Sequence, residues 1–480
     1  RWNRKMYRGR NVYKNERVTY NYVTSKSRKN DGTYYKFVYI SEEKVFQALK
    51  KAIYFYIELL FSIENSHMDR KRKEKHMWEK DMNIHQVQEI RVKNNVFFGV
   101  GAITKIEDIA KDLKSKGVDK VIVVSGKGAY KVTGAWDYVE KALINNGIGY
   151  INYAKVTPNP TTDAINEAVS EAKQFGAKAV IAIGGGSPID TGKSVAILLE
   201  YTDKTAEELY DLEFAPQKAA PIVAINLTHG TGTEVNRFAV ATNLKKNFKP
   251  AIAYDCIYPT YSIDDPQLMT KLSKNQTLYT SIDAINHVVE AATSKVASPY
   301  AITLAKETIR LVTKYLPKAA EDLENPEYRY YLLYASLLGG VGFDNGLLHY
   351  THALEHPLSA IKPELSHGLG LAMLLPAVVK AIYPEKAATL ADILEPIAPG
   401  LNGTPDEGEK AAKLVEKWLC DVGVTQKLQD DGFSESDVDK LVDLCFTTPS
   451  LDGLLSIAPN EATRERVREI YEESMTPFNK

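Results

Sequence analysis

Histidine is scarce in this chain, nine in 480 residues, yet four fall in one short stretch: His349, His352, His356 and His367. If that stretch is helical, His349, His352 and His356 stand three and four residues apart and share a face. Upstream, Asp283 and His287 set a carboxylate and an imidazole at i and i+4, again on one helical face. Two helices and the loop after the second can thus present Asp283, His287, His352 and His367 to a single divalent ion. Imidazoles with one carboxylate suit Fe(II), Zn, Ni or Mn, and spacing does not choose among them. Such an ion can take a substrate oxygen as a further ligand and polarise it. The rival reading is helix packing, with each imidazole bonded to backbone or water. Two short-spaced sets so near each other favour the metal. The HExxH protease pattern is absent, because no histidine stands next to Glu355 on its N-terminal side.

A second chemistry lies in glycines. The segment Ala179 to Asp190 reads as a buried strand running into Gly184-Gly185-Gly186 and then a helix, with Ser187 as its expected N-cap and Pro188 at its first position. Glycines let backbone approach a ligand, and N–H groups at a helix start favour a pyrophosphate. The run Ser187 to Ser194 nearly matches the nucleoside-triphosphate loop. Serine replaces its first glycine, Pro188 removes a donor and Asp190 adds a carboxylate, so a P-loop is rejected. A second turn, Asn226 to Glu234, offers Thr228, Gly230, Thr231 and Gly232 to a phosphate or ribose. His229 in that turn reads as a hydrogen-bonding or solvent-facing residue.

These groups need elements to hold them. Strand patterns occur at Lys120 to Val124, Gly149 to Val156, Ala179 to Ile183, Pro221 to Asn226 and Ala251 to Tyr254. Helical patterns lie between them, such as Asp163 to Phe175 after an N-cap at Thr162, and Lys193 to Leu199. This alternation predicts βαβ units on a parallel sheet. After about Pro266 strand signals stop, and helices are expected over 277–296, 299–320, 327–340, 346–359, 367–383, 408–422, 435–446 and 461–474. The fold class is an α/β dinucleotide-binding domain, 77–266, followed by an all-helical domain, 267–480. Ligands in such sheets sit at the carboxyl ends of the strands, so the site is expected between the two.

Composition narrows the class. With 44% apolar and 25% charged residues the chain can bury large cores, which excludes wholesale disorder. Cys256, Cys420 and Cys445 are far apart, which argues against a disulfide scaffold or a cysteine-held zinc and for a reducing cytoplasm. The apolar run Ala52 to Ile63 is too short to cross a bilayer and contains Glu58. No membrane association is expected. Residues 1–76 carry 19 Lys+Arg against 8 Asp+Glu, the remainder 41 against 53. A basic arm with interleaved tyrosines could bind nucleic acid. We read it instead as a non-native or poorly ordered extension with one helix-like stretch, Glu42 to Ile63, and expect no nucleic-acid partner.

Four motifs in this order, Pro158-Asn159-Pro160-Thr161, Gly184 to Asp190, Thr228 to Glu234, and Asp283-x-x-x-His287 followed by His352, His356 and His367-Gly368, resemble the iron-containing (group III) alcohol dehydrogenases, most of all their NADP-dependent hyperthermophile branch. The resemblance runs from about Met77 to the C-terminus and implies a dehydroquinate synthase-like fold. Fe(II) is the implied metal, with Zn the alternative, held by Asp283, His287, His352 and His367. His356 matches a histidine near the nicotinamide and is the candidate proton relay. Gly185, Gly186, Ser187 and Asp190 match the pyrophosphate turn, and Asn159, Thr228, Thr231 and Lys249 match other cofactor contacts. Gly126 stands where NAD-preferring members carry an aspartate. An acid there would repel a 2′-phosphate, whereas Lys127 or Lys131 would neutralise one, so NADP is expected over NAD. The implied reaction is reversible hydride transfer between a primary alcohol or aldehyde and NADP(H), in a cytoplasmic homodimer. On the same fold the alternatives are a zinc-dependent glycerol dehydrogenase and a dehydroquinate synthase-like lyase. The interval from His356 to His367 is one residue longer than the family pattern.

Overall fold

The computed structural model describes residues 4–13, 16–28, 34–39, 91, 93 and 95–478. The chain forms two compact units, 1–74 and 75–480.

In the first unit, β1 (Arg4–Tyr13), β2 (Glu16–Arg28) and β3 (Tyr34–Tyr39) form an antiparallel sheet in that order, with Tyr7 opposite Tyr22 and Val23 opposite Tyr39. The sequence reading named no strands here. Their signal is the density of tyrosine, valine and threonine, side chains that suit a pleated surface. The helix-like stretch Glu42 to Ile63 lies outside the described residues.

The second unit is built on a six-stranded parallel sheet. Its strands are β4 (Val96–Phe98), β5 (Lys120–Gly126), β6 (Gly149–Val156), β7 (Ala179–Gly184), β8 (Ile222–Asn226) and β11 (Tyr261–Asp264), in the order β4-β11-β8-β7-β5-β6. Helices α1 (Ile106–Ser115), α2 (Ala135–Asn145), α3 (Thr162–Phe175) and α4 (Gly186–Glu200) connect them. Central strands carry unbroken apolar runs because both sheet faces are covered: Val121 to Val124 and Ala179 to Ile183 are all buried.

Three details differ from the expectations. The cap of α3 is Thr161, whose hydroxyl accepts from Ala164 N–H, so the helix starts one residue early. Helix α4 begins at Gly186, with Gly185 as its N-cap, so Ser187 and Pro188 lie inside the first turn. The glycines themselves bend into the helix and need no side-chain cap. Ala251 to Ala253 (β10) leaves the sheet and pairs antiparallel with β9 (Phe238–Val240). The place beside β8 goes instead to β11, a strand not anticipated, and β4, only three residues long, also escaped the pattern.

From Lys274 the described chain is helical. The helices that matter for the site are α5 (Lys274–Thr293), α6 (Pro299–Glu321), α7 (Pro326–Gly346), α8 (Tyr350–Ile361) and α9 (His367–Ile393). Their apolar faces merge into one core that includes Ile285, Val288, Leu354, Leu358, Leu374 and Val378. Helix α9 is long and apolar enough to cross a membrane by length and composition, and 78% of its most apolar window is buried in the protein. The helix expected over 346–359 is broken: α7 ends at Gly346 and α8 begins only at Tyr350. Leu347, at φ +61°, turns the chain between them.

Candidate active site

Helix α5 presents Asp283, His287 and Glu290 at intervals of four and three, one buried face. His287 Nε2 lies 3.4 Å from Asp283 Oδ1, and His352 Nε2 on α8 lies 3.6 Å from the same oxygen. Candidate ligand atoms of these three residues all fall within 4.8 Å of one another. Asp283 Oδ1 and His352 Nε2 are buried and bond to no protein group. A carboxylate oxygen and an imidazole nitrogen left unpaired, with a second imidazole at this spacing, fit a divalent cation, since buried polar atoms otherwise find partners.

The charges of Asp283 and His287 agree with that fit. Burial pushes the Asp283 carboxyl up, but His287 and His352 outweigh it and hold the group down at about 2. Burial, helped by the neighbouring His352 and His367 and opposed by Asp283, pulls His287 down to about 4, leaving the neutral imidazole that a metal needs. His352 is the opposite case. Burial works against its charge, but Glu290 and Asp283 raise it to about 9.

Glu290 explains how His352 is aimed. Its Oε1 accepts from the N–H groups of His349, Thr351 and His352 at 2.9, 2.7 and 3.3 Å, closing the open start of α8. Its Oε2 bonds His352 Nδ1, which turns Nε2 towards Asp283. One carboxylate therefore fixes both the helix and the imbedded imidazole, the arrangement by which outer groups orient metal-binding histidines.

His349 does not share the histidine face. It is the N-cap of α8, with backbone angles φ −141° and ψ −108°, and its Nδ1 accepts from Tyr350 N–H at 2.7 Å. Its Nε2 meets Thr293 Oγ1 at 2.9 Å. His367, the first residue of α9, falls into a different group from the other three expected ligands. Its Nδ1 bonds Glu355 Oε2, and it clusters with Glu355 and His356. Its ring centroid stays 5.4 Å from that of His352. The buried Glu355 carboxylate is the anion nearest its ring and sets this orientation. Lys249 completes the cluster, its Nζ 2.6 Å from Ser359 Oγ, 3.3 Å from Glu355 Oε2 and 3.4 Å from His367 Nδ1. His356 is buried with Nδ1 unpartnered, and burial together with the Lys249 charge holds its pKa well below the usual value.

A cavity of about 520 Å³ joins this corner to the glycine turn. Asp283, His287, His352, His356 and His367 lie along it, as do Asn159, Gly186, Ser187, Asp190, Thr231 and Lys249. Its remaining wall is largely apolar, with Phe238, Val240, Ile252, Phe343, Leu347, Leu348, Leu454 and Ile457. The two turns read from sequence touch one another. A Cβ on Gly185 would stand 2.8 Å from Thr228 Oγ1 and Cγ2, and one on Gly186 2.9 Å from Thr231 Cγ2, so only glycine fits at either place. Thr231 Oγ1 is buried without a partner.

Other expected contacts have structural partners of their own. Asp190 accepts from Thr233 Oγ1 at 2.6 Å and Val240 N–H at 3.0 Å, bracing the wall. Asn159 donates to the carbonyls of Pro363 and Leu365 at 2.8 and 3.2 Å. Gly126 ends β5, where a Cβ would meet only Val156 O at 3.5 Å, and Lys127 and Lys131 are exposed nearby in sequence. His229, expected as a hydrogen-bonding or solvent-facing residue, is fully buried and hydrogen-bonded. Its Nε2 meets Arg329 Nη1 at 2.7 Å, and burial with the Arg329 charge pulls its pKa to about 3. Lys193, the lysine of the near P-loop match, is buried too, donating to Thr233, Asn236 and Phe238. It holds the cavity wall and cannot reach a phosphate.

Sequence reasoning missed Glu290 and Glu355 as positioning groups. Glu290 had a usable signal, three residues after His287 on the same helical face; Glu355 meets His367 from the next helix and Lys249 from 106 residues away, which no helical spacing marks.

The family model described as iron-containing alcohol dehydrogenase matches residues 93–266, and that of the family's C-terminal region matches 277–475. The chain belongs to the iron-containing alcohol dehydrogenase family. It is accordingly an NAD(P)-dependent enzyme of alcohols, with the sheet-plus-helix architecture of that family. A relative, the long-chain primary alcohol dehydrogenase AdhA of Thermoanaerobacter ethanolicus, is 64% identical over 83% of this chain and 100% of its own. The NADPH-dependent butanol dehydrogenase of Clostridium saccharobutylicum is 28% identical over 79% and 95%. Among solved structures, NADH-dependent butanol dehydrogenase A of Thermotoga maritima superposes with a TM-score of 0.75 at 30% identity, over 82% of this chain and 100% of its own. Family membership therefore fixes the chemistry but leaves the nucleotide open.

Proposed function

We propose that this chain reversibly oxidises primary alcohols, long-chain ones included, with NADP preferred over NAD. The metal, Fe(II) or alternatively Zn, is held by Asp283, His287 and His352, with His367 as the fourth ligand. The observation that carries this reading is the convergence of Asp283 Oδ1, His287 Nε2 and His352 Nε2 on one cavity that also reaches the glycine turn. When bound, the ion supplies Lewis acidity that lowers the pKa of the alcohol, and the nicotinamide supplies the hydride acceptor. The chain supplies the setting. Gly185, Gly186 and Ser187 offer backbone N–H groups to the pyrophosphate, and Thr231 Oγ1 is a free hydroxyl beside them. The apolar wall excludes water and takes an alkyl chain, in keeping with the substrate named for the Thermoanaerobacter relative. His356 lines the cavity with its Nδ1 buried and unpartnered, and we assign it the relay of the proton that leaves the alcohol. Gly126 leaves room for a 2′-phosphate that Lys127 or Lys131 can neutralise. We further propose a cytoplasmic homodimer.

The test is metal analysis of anaerobically purified protein, together with a primary-alcohol panel using NADP and NAD. One metal per chain and NADP reduction are expected. In His287→Ala, bound metal and turnover should vanish together, by at least about a hundredfold. Full turnover without metal would overturn the reading.

A further inference from the structure

The connector between α7 and α8 is pinned to α5 at both ends. Gly346 closes on α5 so tightly that a Cβ would stand 2.2 Å from Ala291 O, and its carbonyl accepts from Ser294 Oγ at 2.5 Å. At the other end, His349 N–H donates to Glu290 Oε1 at 2.9 Å. Only Leu347 and Leu348 lie between these anchors, and both are half-buried against the cavity.

The short span forces an unusual backbone. Leu347 sits at φ +61° and ψ 176°, a region in which L side chains are strained and glycine is at ease. Its N–H still donates to Phe343 O at 2.7 Å, so it stands one turn beyond Phe343. Phe343 stacks on His287 with ring centroids 4.4 Å apart. Leu347, Phe343 and His287 all line the same cavity. Glycine would relieve the backbone, yet a four-carbon branched side chain occupies the position, and Leu347 is one of the residues that line the cavity. Strain of this kind persists where surrounding structure over-determines it, and it concentrates at functional sites.

We propose that Leu347 is a specificity-determining residue: its isobutyl group narrows the cavity beside the metal corner and admits primary alcohols that are unbranched next to the hydroxyl carbon. A linear chain passes such a constriction, whereas a methyl branch on the second carbon collides with it. The inference rests on the alcohol reading given above and refines it.

The test uses the full-length, metal-loaded enzyme and two variants, Leu347→Ala and Leu347→Gly. Each is assayed with linear and 2-methyl-branched primary alcohols, and thermal midpoints are measured in parallel. Both variants should raise the branched-to-linear ratio of kcat/KM by at least about tenfold, the scale on which an apolar pocket rejects a misplaced carbon. Leu347→Gly should melt above Leu347→Ala, because only glycine relaxes the backbone; at an unstrained position the order reverses. An unchanged ratio in both variants overturns the specificity role. Leu347→Ala melting at or above Leu347→Gly overturns the strain argument on which the proposal stands. Wild-type protein that turns over neither alcohol class sinks the alcohol reading itself, which the melting order leaves untouched.

Discussion

The two sides of the cavity are built on opposite principles. On the α/β side, the proposed phosphate cradle rests on backbone: Gly185 and Gly186 of one turn fold against Thr228 and Thr231 of a second, each turn read from a few neighbouring residues. On the helical side, it rests on side chains from α5, α8 and α9, each held by another side chain. Glu290 aims His352, Glu355 holds His367, and Ser294 and Glu290 pin the connector that carries Leu347. Backbone sites are local and depend on having no side chain in the way. Side-chain sites are non-local and depend on a second layer that no motif names.

Four perturbations would break or sharpen this contrast. The largest expected effect is on the helical side. In Glu290→Gln the amide oxygen can still cap the three N–H groups, but the NH2 faces His352 Nδ1 and no longer accepts from it. Metal affinity should fall about 10- to 100-fold in chelator competition with the helix content intact. Wild-type affinity would reduce Glu290 to a helix cap.

Next comes Gly185→Ala on the backbone side. Its methyl group would press on Thr228 at 2.8 Å, so cofactor affinity should drop about tenfold while metal content stays constant. Adding Thr228→Ala, which leaves only a Cβ contact at 3.4 Å, should restore much of the loss. A loss of metal in Gly185→Ala would show that the two sides are not independent.

Gly126→Asp should act more narrowly still. The backbone accepts a Cβ there, and the new carboxylate should move the NADP-to-NAD ratio of kcat/KM towards NAD by a few-fold to about tenfold, leaving kcat little changed. An unmoved ratio would remove Gly126 from the nucleotide site.

The smallest effect at neutral pH concerns stability. His229 and His349 are held by burial at about 3 and about 4, below the value near 6.5 of an unfolded chain. Between pH 6.5 and 4 the unfolded state therefore binds more protons. Stability rises with pH across that window and is lost on acidification, at about 1.4 kcal/mol per pH unit for each residue. In metal-stripped protein His352 contributes in the other direction. Its stabilisation is complete below about 6.5 and is lost as pH rises through 9. Urea midpoints from pH 4 to 10 should bend at both ends; a flat profile would contradict the buried state of these imidazoles.

What could be read from sequence follows the same divide. The strands from Lys120 to Asn226 announced themselves through unbroken valine and isoleucine runs, and the glycine turn through three consecutive glycines. Asp283 and His287 could be set on one face because helical spacing is a local rule. The same rule misled at His349, since nothing between 346 and 359 looked like a break until Gly346 met Ala291 across the helix interface. His367, placed by the loop after that helix, has its ring centroid 5.4 Å from that of His352, while Glu355, buried on α8, holds its Nδ1.

Residue order alone determined the chemistry on offer: which side chains can ligate, which turn can cradle a phosphate, and where the longer strands and helices run. Packing decided how these are aimed. Glu290 reaches His352 across 62 residues and Lys249 reaches Glu355 across 106, contacts that exist only once α5, α8 and the α/β half are assembled. The strain at Leu347 arises in the same way, because a backbone angle is dictated there by two anchor points on another helix. Periodicity is a property of neighbours along the chain, whereas orientation at a site is set by neighbours in space.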